Sequence, residues 1–160
     1  MTMNEKARAV LEACRQAGVM VVTAESCTGG LIAGALTDIA GSSDVVERGF
    51  VTYSYESKTE MLGVPAAMVA EHGAVSEPVA RAMAEGALAA SRAQLSIAVT
   101  GVAGPGSDSQ AKPAGLVHLA AARDGKDTLH EVHEFGDNGR DAVRRATVEA
   151  ALDLILRRLN

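Results

Sequence analysis

A short apolar segment that ends in a turn limits what this chain can fold into. Val19–Ala24 is typical of a buried β-strand, and Glu25-Ser26-Cys27-Thr28-Gly29-Gly30 follows it directly. The residues from Thr28 to Ile39 then predict a helix made largely of small side chains. This order places the Ser26 hydroxyl at a tight strand-to-helix turn, a position where α/β enzymes can carry a nucleophile.

Two roles are open to Ser26 on these residues alone. As a nucleophile it would be exposed by the turn, and Gly29 and Gly30 would let a substrate approach unpaired N–H groups at the start of the helix. As a structural residue, Ser26 or Thr28 would cap the helix, which is a frequent use of serine and threonine. Other parts of the chain are needed to choose between these roles.

Length and composition predict a soluble globular protein. The 160 residues suffice for one domain with a hydrophobic core, and 48% of them are hydrophobic. A formal net charge of −5 argues against a nucleic-acid or anionic membrane surface, because phosphate binding needs a basic face. Residues 1–18 lack the pattern of a secretory signal, and Cys14 and Cys27 suggest no disulfide. We therefore expect a cytoplasmic protein without a membrane segment.

Alternating helices and strands predict an α/β fold. The predicted helices are Asn4–Ala17, 28–39, Glu56–Leu62, Pro65–Glu71, one that opens with Ser76 as N-cap, and Arg140–Leu159. The predicted strands are Val19–Ala24, Arg48–Ser54 and Leu95–Thr100, followed by a hairpin of Leu116–Arg123 and Thr128–Phe135 around Asp124-Gly125. We expect a single-domain three-layer α/β/α architecture whose mixed sheet includes one antiparallel hairpin.

The segment Thr52-Tyr53-Ser54-Tyr55-Glu56-Ser57-Lys58 is a second candidate for chemistry. A lysine beside a serine nucleophile can act as its base, provided that burial lowers the lysine pKa from ~10.4 toward ~7–8. The ordinary alternative is that the two tyrosines pack a sheet edge and that the lysine is solvated. The spacing matches neither the Ser-x-x-Lys motif nor a dinucleotide fingerprint.

Two further segments are candidates for binding an anion. The loop Thr100–Gly106 follows a strand and could direct N–H groups at an anion, or it could be a plain surface loop. Arg140, Arg144 and Arg145 lie at the start of the last predicted helix, where the helix dipole disfavours cations. That placement favours a nearby anion, although exposed arginines are also common on a solvated surface. No metal-site spacing links the cysteines to the four histidines, which are His72, His118, His130 and His133.

Five segments together resemble a known family. They are Ala24–Gly30, Gly49–Ser54 with Lys58, Gly73–Ser76, Thr100–Pro105 and Lys112-Pro113. In this order, over nearly the full chain, they are similar to the nicotinamide-nucleotide amidase family, the CinA C-terminal domain. The resemblance implies one amidase domain over residues 1–160. It also implies an enzyme of pyridine-nucleotide salvage, which hydrolyses the carboxamide of nicotinamide mononucleotide to nicotinate mononucleotide and ammonia.

The resemblance also implies roles for individual residues and no metal or other cofactor. Ser26, Lys58 and Tyr53 occupy the positions of the catalytic serine, lysine and tyrosine. In the expected mechanism neutral Lys58 takes the Ser26 proton, and Tyr53 orients Lys58 or donates to the leaving group. Backbone N–H groups near Thr28 to Gly30 would stabilise the oxyanion, and either the loop Thr100–Gly104 or the arginines would hold the 5′-phosphate. The expected substrate contacts are Thr28, Gly29, Gly30, Thr100, Gly101, Gly104, Arg140, Arg144 and Arg145.

Two functions of other classes are also open on the sequence. A non-catalytic nucleotide-binding module would use the same glycine turns and arginines, with Ser26 only as a cap. A structural interaction domain would neither bind a nucleotide nor release ammonia. Members of the family are often oligomeric, so we expect a homo-oligomer. The family commonly has Asn where this chain has Tyr55, which leaves the local substrate contacts open.

Overall fold

One five-stranded mixed sheet organises the fold, and the computed structural model describes all residues 1–160. The strands are β1 (Val21–Glu25), β2 (Val46–Val51), β3 (Leu95–Gly101), β4 (Leu116–Arg123) and β5 (Lys126–Glu134). The helices are α1 (Met3–Ala17), α2 (Leu31–Thr37), α3 (Tyr55–Leu62), α4 (Ala66–His72), α5 (Glu77–Ala89) and α6 (Arg140–Leu159). No helix is both long enough and apolar enough to cross a bilayer.

The strand order is β2-β1-β3-β4-β5. β1 pairs in parallel with both β2 and β3, while β4 is antiparallel to β3 and to β5. β4 and β5 are joined at Asp124-Gly125, where Gly125 has a left-handed φ of 76° that glycine adopts readily. The predicted mixed sheet with one antiparallel hairpin is therefore confirmed.

Helices cover both faces of the sheet. On one face α1, α2 and α6 bury a cluster that includes Leu36, Ile97 and Ile155. On the other face α3, α4 and α5 bury a second cluster that includes Leu62 and Met83. Fully burying one such side chain stabilises the folded state by about 1.5–3 kcal/mol. Each cluster therefore holds its helices firmly against the sheet. The predicted three-layer α/β/α architecture is confirmed.

Two predicted boundaries differ from the structure near residues 26–30, which connect β1 to α2 and are called the Ser26 turn below. α2 begins at Leu31 rather than Thr28, because Gly29 and Gly30 have φ values of 59° and 105°. These left-handed conformations are incompatible with a right-handed helix and are readily adopted only by glycine. β2 runs from Val46 to Val51 instead of from Arg48 to Ser54, since Ser54 caps α3 through its hydroxyl.

The parallel strands bring three chain segments to one edge of the sheet. The Ser26 turn follows β1, the segment Thr52–Lys58 follows β2, and the loop 102–115 follows β3. Because β1 lies between β2 and β3 and all three run in the same direction, their carboxyl ends are adjacent. In open α/β sheets this edge is where ligands bind.

Candidate active site

Ser26 is held rigidly at the end of β1. Its backbone N–H donates to the Val99 carbonyl oxygen at 3.1 Å, so the chain is still anchored to β3 at this residue. The residue is only 8% exposed. The chain changes direction after Ser26 through Gly29 and Gly30, which have left-handed conformations. Ser26 lies directly after the last residue of β1, at the edge of the sheet.

Lys58 reaches Ser26 from the second turn of α3. Its Nζ atom lies 3.0 Å from Ser26 Oγ. The same Nζ donates to the carbonyl oxygens of Thr52 at 2.6 Å and of Tyr53 at 3.5 Å. The residue is 1% exposed, which makes Lys58 the largest fully buried side chain of the protein. The predicted juxtaposition of Ser26 and Lys58 is present in the structure.

Burial changes the protonation of Lys58. It disfavours the ammonium form and lowers the pKa of Lys58 from 10.5 to about 8. A pKa near 8 leaves an appreciable fraction of the amine neutral close to neutral pH. The side chain is thereby available as a proton acceptor, as a solvated lysine would not be.

Cys27 lies next to Ser26 but is unsuited to nucleophilic attack. It is 5% exposed, and burial raises the pKa of its thiol to about 12. The thiolate is the nucleophilic form of cysteine, so this side chain is inert near neutral pH. Of the two neighbouring side chains, the Ser26 hydroxyl is the one that contacts Lys58.

Tyr53 contacts Lys58 through its backbone only. Its hydroxyl accepts a hydrogen bond from Arg140 Nη2 at 3.0 Å, and the residue is 61% exposed. The expectation that the Tyr53 hydroxyl orients Lys58 does not match this geometry. The carbonyl oxygens of Thr52 and Tyr53 orient Lys58 instead, and the phenol lies at the mouth of the site.

A cleft of about 130 Å³ opens onto Ser26 and Lys58. It is lined by residues from all three strand ends and from α6, among them Ser26, Lys58, Tyr53, Thr100, Gly101 and Arg140. Asp108 and Tyr55 also line it, and the Tyr55 hydroxyl lies 3.1 Å from Ser109 Oγ. The loop 102–115 is thus tied to α3 across the mouth of the cleft.

The residues at the end of β3 and in the loop after it serve the fold as well as the cleft. The Thr100 hydroxyl donates to the Ala74 carbonyl oxygen at 2.8 Å. Gly101 leaves room for the neighbouring strand, because a Cβ there would lie 2.6 Å from Val117 Cγ2. The Gly104 carbonyl oxygen accepts from Arg140 Nη1 at 2.8 Å.

Arg140, Arg144 and Arg145 of α6 differ in the contacts that their side chains make. Arg140 lines the cleft and is exposed. Arg144 faces the Ser26 turn, where its Nε donates to the Cys27 carbonyl oxygen at 3.1 Å and its Nη2 to that of Thr28 at 3.2 Å. Arg145 is exposed and lines a separate cavity of about 390 Å³ between α1, α2 and α6. The structure therefore brings only Arg140 of the three to the cleft.

Glu25 is a site residue that the sequence analysis missed. It is fully buried, and its carboxylate accepts hydrogen bonds from Thr28 Oγ1 at 2.5 Å, Ile32 N at 2.9 Å and Ala33 N at 3.0 Å. Consequently the first turn of α2 is not open to a substrate, and the Thr28 side chain points at Glu25. A single carboxylate at the end of an otherwise apolar strand is the signal that could have identified it.

The residues around the site include no group suited to hold a metal ion. Nowhere in the chain do three or more His, Cys, Asp or Glu side chains cluster at metal-binding distances. The two histidines that do meet, His118 and His130, have ring nitrogens 2.9 Å apart and hydrogen-bond to each other.

The chain is similar to known proteins over most of its length. The chain is 52% identical over 145 residues to the nicotinamide-nucleotide amidohydrolase PncC of Pseudomonas putida, covering 91% of this chain and 89% of that protein. It is 51% identical over 139 residues to a CinA-like protein of Syntrophus aciditrophicus, covering 87% of this chain. The chain spans only about a third (33%) of the length of that CinA-like relative.

A solved structure and a family model give the same assignment. The crystal structure of the competence/damage inducible protein CihA from Agrobacterium tumefaciens matches with a TM-score of 0.93 and 52% identity. The match covers 97% of this chain and 94% of that one. The model of the CinA C-terminal domain matches residues 3–159. These findings confirm the resemblance found in the sequence, and the chain belongs to the CinA C-terminal domain family.

Proposed function

We propose that this chain is a nicotinamide-nucleotide amidase that hydrolyses nicotinamide mononucleotide to nicotinate mononucleotide and ammonia. We further propose that residues 1–160 act as one amidase domain, with Ser26 as the nucleophile and Lys58 as its base. The name of the Pseudomonas putida relative supports the choice of substrate, since that protein is similar to this one along most of both chains. The Ser26–Lys58 contact supports the choice of mechanism.

The observation that carries the proposal is the set of three contacts at Lys58 Nζ. A neutral amine has two N–H bonds and one lone pair. The carbonyl oxygens of Thr52 and Tyr53 can accept the two N–H bonds, which turns the lone pair toward Ser26 Oγ at 3.0 Å. A general base must lie within about 2.6–3.2 Å of the oxygen whose proton it removes, and this distance satisfies that requirement.

The reaction then proceeds by acyl transfer. Lys58 takes the Ser26 proton as Oγ attacks the carboxamide carbon, which forms a tetrahedral oxyanion. The Lys58 ammonium returns that proton to the amide nitrogen, the carbon–nitrogen bond breaks, and ammonia leaves. Water next attacks the Ser26 ester while Lys58 accepts a water proton. Lys58 then gives this proton to Ser26 Oγ as the ester C–O bond breaks, which releases nicotinate mononucleotide and restores the Ser26 hydroxyl and the neutral lysine.

The shape of the cleft fits a substrate with a small reacting end and a charged tail. Its volume of about 130 Å³ is below the roughly 300–1,000 Å³ of pockets that enclose whole ligands. We propose that the pyridine carboxamide enters the cleft and that ribose and phosphate lie at the mouth. Arg140 is exposed there and presents a planar guanidinium, which suits a phosphate.

Ammonia release from nicotinamide mononucleotide tests the proposal. We expect the purified protein to release ammonia and the Ser26→Ala variant to lose at least about 10³-fold in kcat, because the nucleophile is missing. Cys27→Ala is the matched neighbouring variant and should retain most activity, since the thiol is protonated. Ser26→Ala should still bind the nucleotide in equilibrium titrations.

Two results would contradict the proposal. If the wild-type protein binds the nucleotide but releases no ammonia at high enzyme concentration, the chain is a nucleotide-binding module and Ser26 is a structural residue. If Cys27→Ala is inactive while Ser26→Ala turns over normally, the enzyme is a thiol amidase.

A further inference from the structure

Only some backbone N–H groups of the Ser26 turn are free to donate a hydrogen bond to an oxyanion. Gly29 N donates to the Ser26 carbonyl oxygen at 3.1 Å, and Leu31 N donates to that of Thr28 at 3.0 Å. The N–H groups of Cys27, Thr28 and Gly30 donate to no acceptor in the protein. Of these free donors, those of Cys27 and Thr28 are nearest to Ser26 along the chain, and the Gly29 N–H between Thr28 and Gly30 is already used.

Arg144 controls the orientation of one of these donors. Its guanidinium makes two hydrogen bonds, from Nε to Cys27 O and from Nη2 to Thr28 O. In a trans peptide the N–H points opposite to the C=O of the same unit. Because Arg144 holds the Cys27 carbonyl toward α6, the Thr28 N–H must point away from α6.

Gly29 lies against the Arg144 guanidinium and allows this contact. A Cβ on Gly29 would lie 3.2 Å from Arg144 Nη2, and Gly29 also has a φ of 59°. Glycine at this position therefore permits both the turn and the close approach of the guanidinium. A cation on a carbonyl oxygen also polarises the peptide unit, which strengthens its N–H as a donor.

We propose that Arg144 is a positioning residue that fixes the Cys27–Thr28 peptide so that the Thr28 N–H donates to the oxyanion, beside the N–H of Cys27, which belongs to the preceding peptide. This inference rests on the proposed function, because an oxyanion forms only if Ser26 attacks a carbonyl. It replaces the expectation that Arg144 contacts substrate. Two of the guanidinium nitrogens already donate to carbonyl oxygens of the turn, and Arg144 does not line the cleft.

Kinetics of Arg144→Ala on nicotinamide mononucleotide test this role. We expect kcat to fall about 10²-fold, the loss seen elsewhere when one oxyanion donor is removed. KM and the pH dependence set by Lys58 should be unchanged, because Arg144 contacts neither the cleft nor Lys58. Arg144→Lys keeps the charge but lacks a planar fork with two donors, so it should recover only part of kcat. Arg8 is an exposed arginine of α1 whose side chain makes no hydrogen bond or ion pair, so Arg8→Ala is the control and should match the wild type.

A second readout does not depend on the natural substrate. A fluorophosphonate labels an activated serine: the Ser26 Oγ–P bond forms, the P–F bond breaks, fluoride leaves, and the proton goes to Lys58. The phosphoryl oxygen then occupies the oxyanion position. The rate of Ser26 labelling should fall in Arg144→Ala by a factor similar to that of kcat, and thermal unfolding should show that the variant is folded.

The outcomes separate this inference from the proposed function. If the wild type is labelled but releases no ammonia, the proposed function fails and the labelling ratio still decides the role of Arg144. Equal labelling rates in wild type and Arg144→Ala would overturn the inference, as would a variant whose KM rises while kcat is kept. If the wild type is neither labelled nor active, both claims are wrong.

Discussion

In the proposed mechanism Lys58 can act as the base because its amino group is buried beside Ser26. A lysine on the surface would hold its proton until about pH 10.4 and could not serve as a base near neutrality. Here burial lowers the pKa to about 8, and two backbone carbonyl oxygens direct the lone pair at Ser26. The sequence could suggest the pairing of serine with lysine, but it could not show that carbonyl oxygens rather than the Tyr53 hydroxyl orient the amine.

Arg140 is the residue whose substitution should separate nucleotide from nucleoside. Its guanidinium lines the cleft and bonds to the Tyr53 hydroxyl and the Gly104 carbonyl oxygen. A charge-assisted hydrogen bond to phosphate contributes about 1.5–3 kcal/mol. We therefore expect Arg140→Ala to weaken binding of nicotinamide mononucleotide about 10- to 100-fold, with a smaller effect on the nucleoside, as measured by titration of the Ser26→Ala background.

Arg145→Ala provides the comparison for Arg140→Ala. Arg145 lies one turn further along α6, is exposed, and lines a different cavity. Its removal should affect nucleotide and nucleoside equally. Equal losses for both ligands in Arg140→Ala would show that Arg140 does not bind the phosphate.

At the scale of secondary structure, the segment from β1 to α2 is held by two opposite charges. Glu25 binds the N–H groups at the start of α2, and Arg144 binds the carbonyl oxygens of the turn. The pattern of apolar residues predicted the strand and the helix, but neither charge. Arg144 reaches Cys27 from 117 residues further along the chain, so its contact depends on how α6 packs and has no local signature.

Glu25→Gln should destabilise the protein without changing its fold. The carboxylate accepts three hydrogen bonds through two oxygens, whereas an amide has one oxygen and an NH2 group that repels the facing N–H. At least one buried donor is left without an acceptor, which costs about 1–3 kcal/mol of unfolding free energy. Chemical denaturation of wild type and variant measures this difference.

Glu60→Gln is the control for Glu25→Gln, because Glu60 is an exposed residue of α3 with no side-chain hydrogen bond. Surface substitutions of this kind change stability by no more than about 0.5 kcal/mol. If Glu25→Gln is as stable as Glu60→Gln, the carboxylate does not hold the turn.

At the scale of the whole molecule, topology explains why three separate segments converge. Parallel pairing of β1 with β2 and β3 places the Ser26 turn, Lys58 and the loop 102–115 at one edge. Alternation of strands and helices was enough to predict the layers and the hairpin, because those depend on local periodicity. Which of the three arginines lines the cleft was not predictable from the sequence, because that depends on how α6 packs across the sheet.

The pH dependence of kcat/KM for wild type and Lys58→Arg tests the central claim, that Lys58 is the base for Ser26. The base must be neutral, so the rate should rise with pH along one limb with its midpoint near 8 and level off above it. Lys58→Arg should lose this limb and about 10²- to 10⁴-fold in rate, because a guanidinium stays protonated. Near-normal turnover of Lys58→Arg with the same limb would contradict the account and show that another group removes the Ser26 proton.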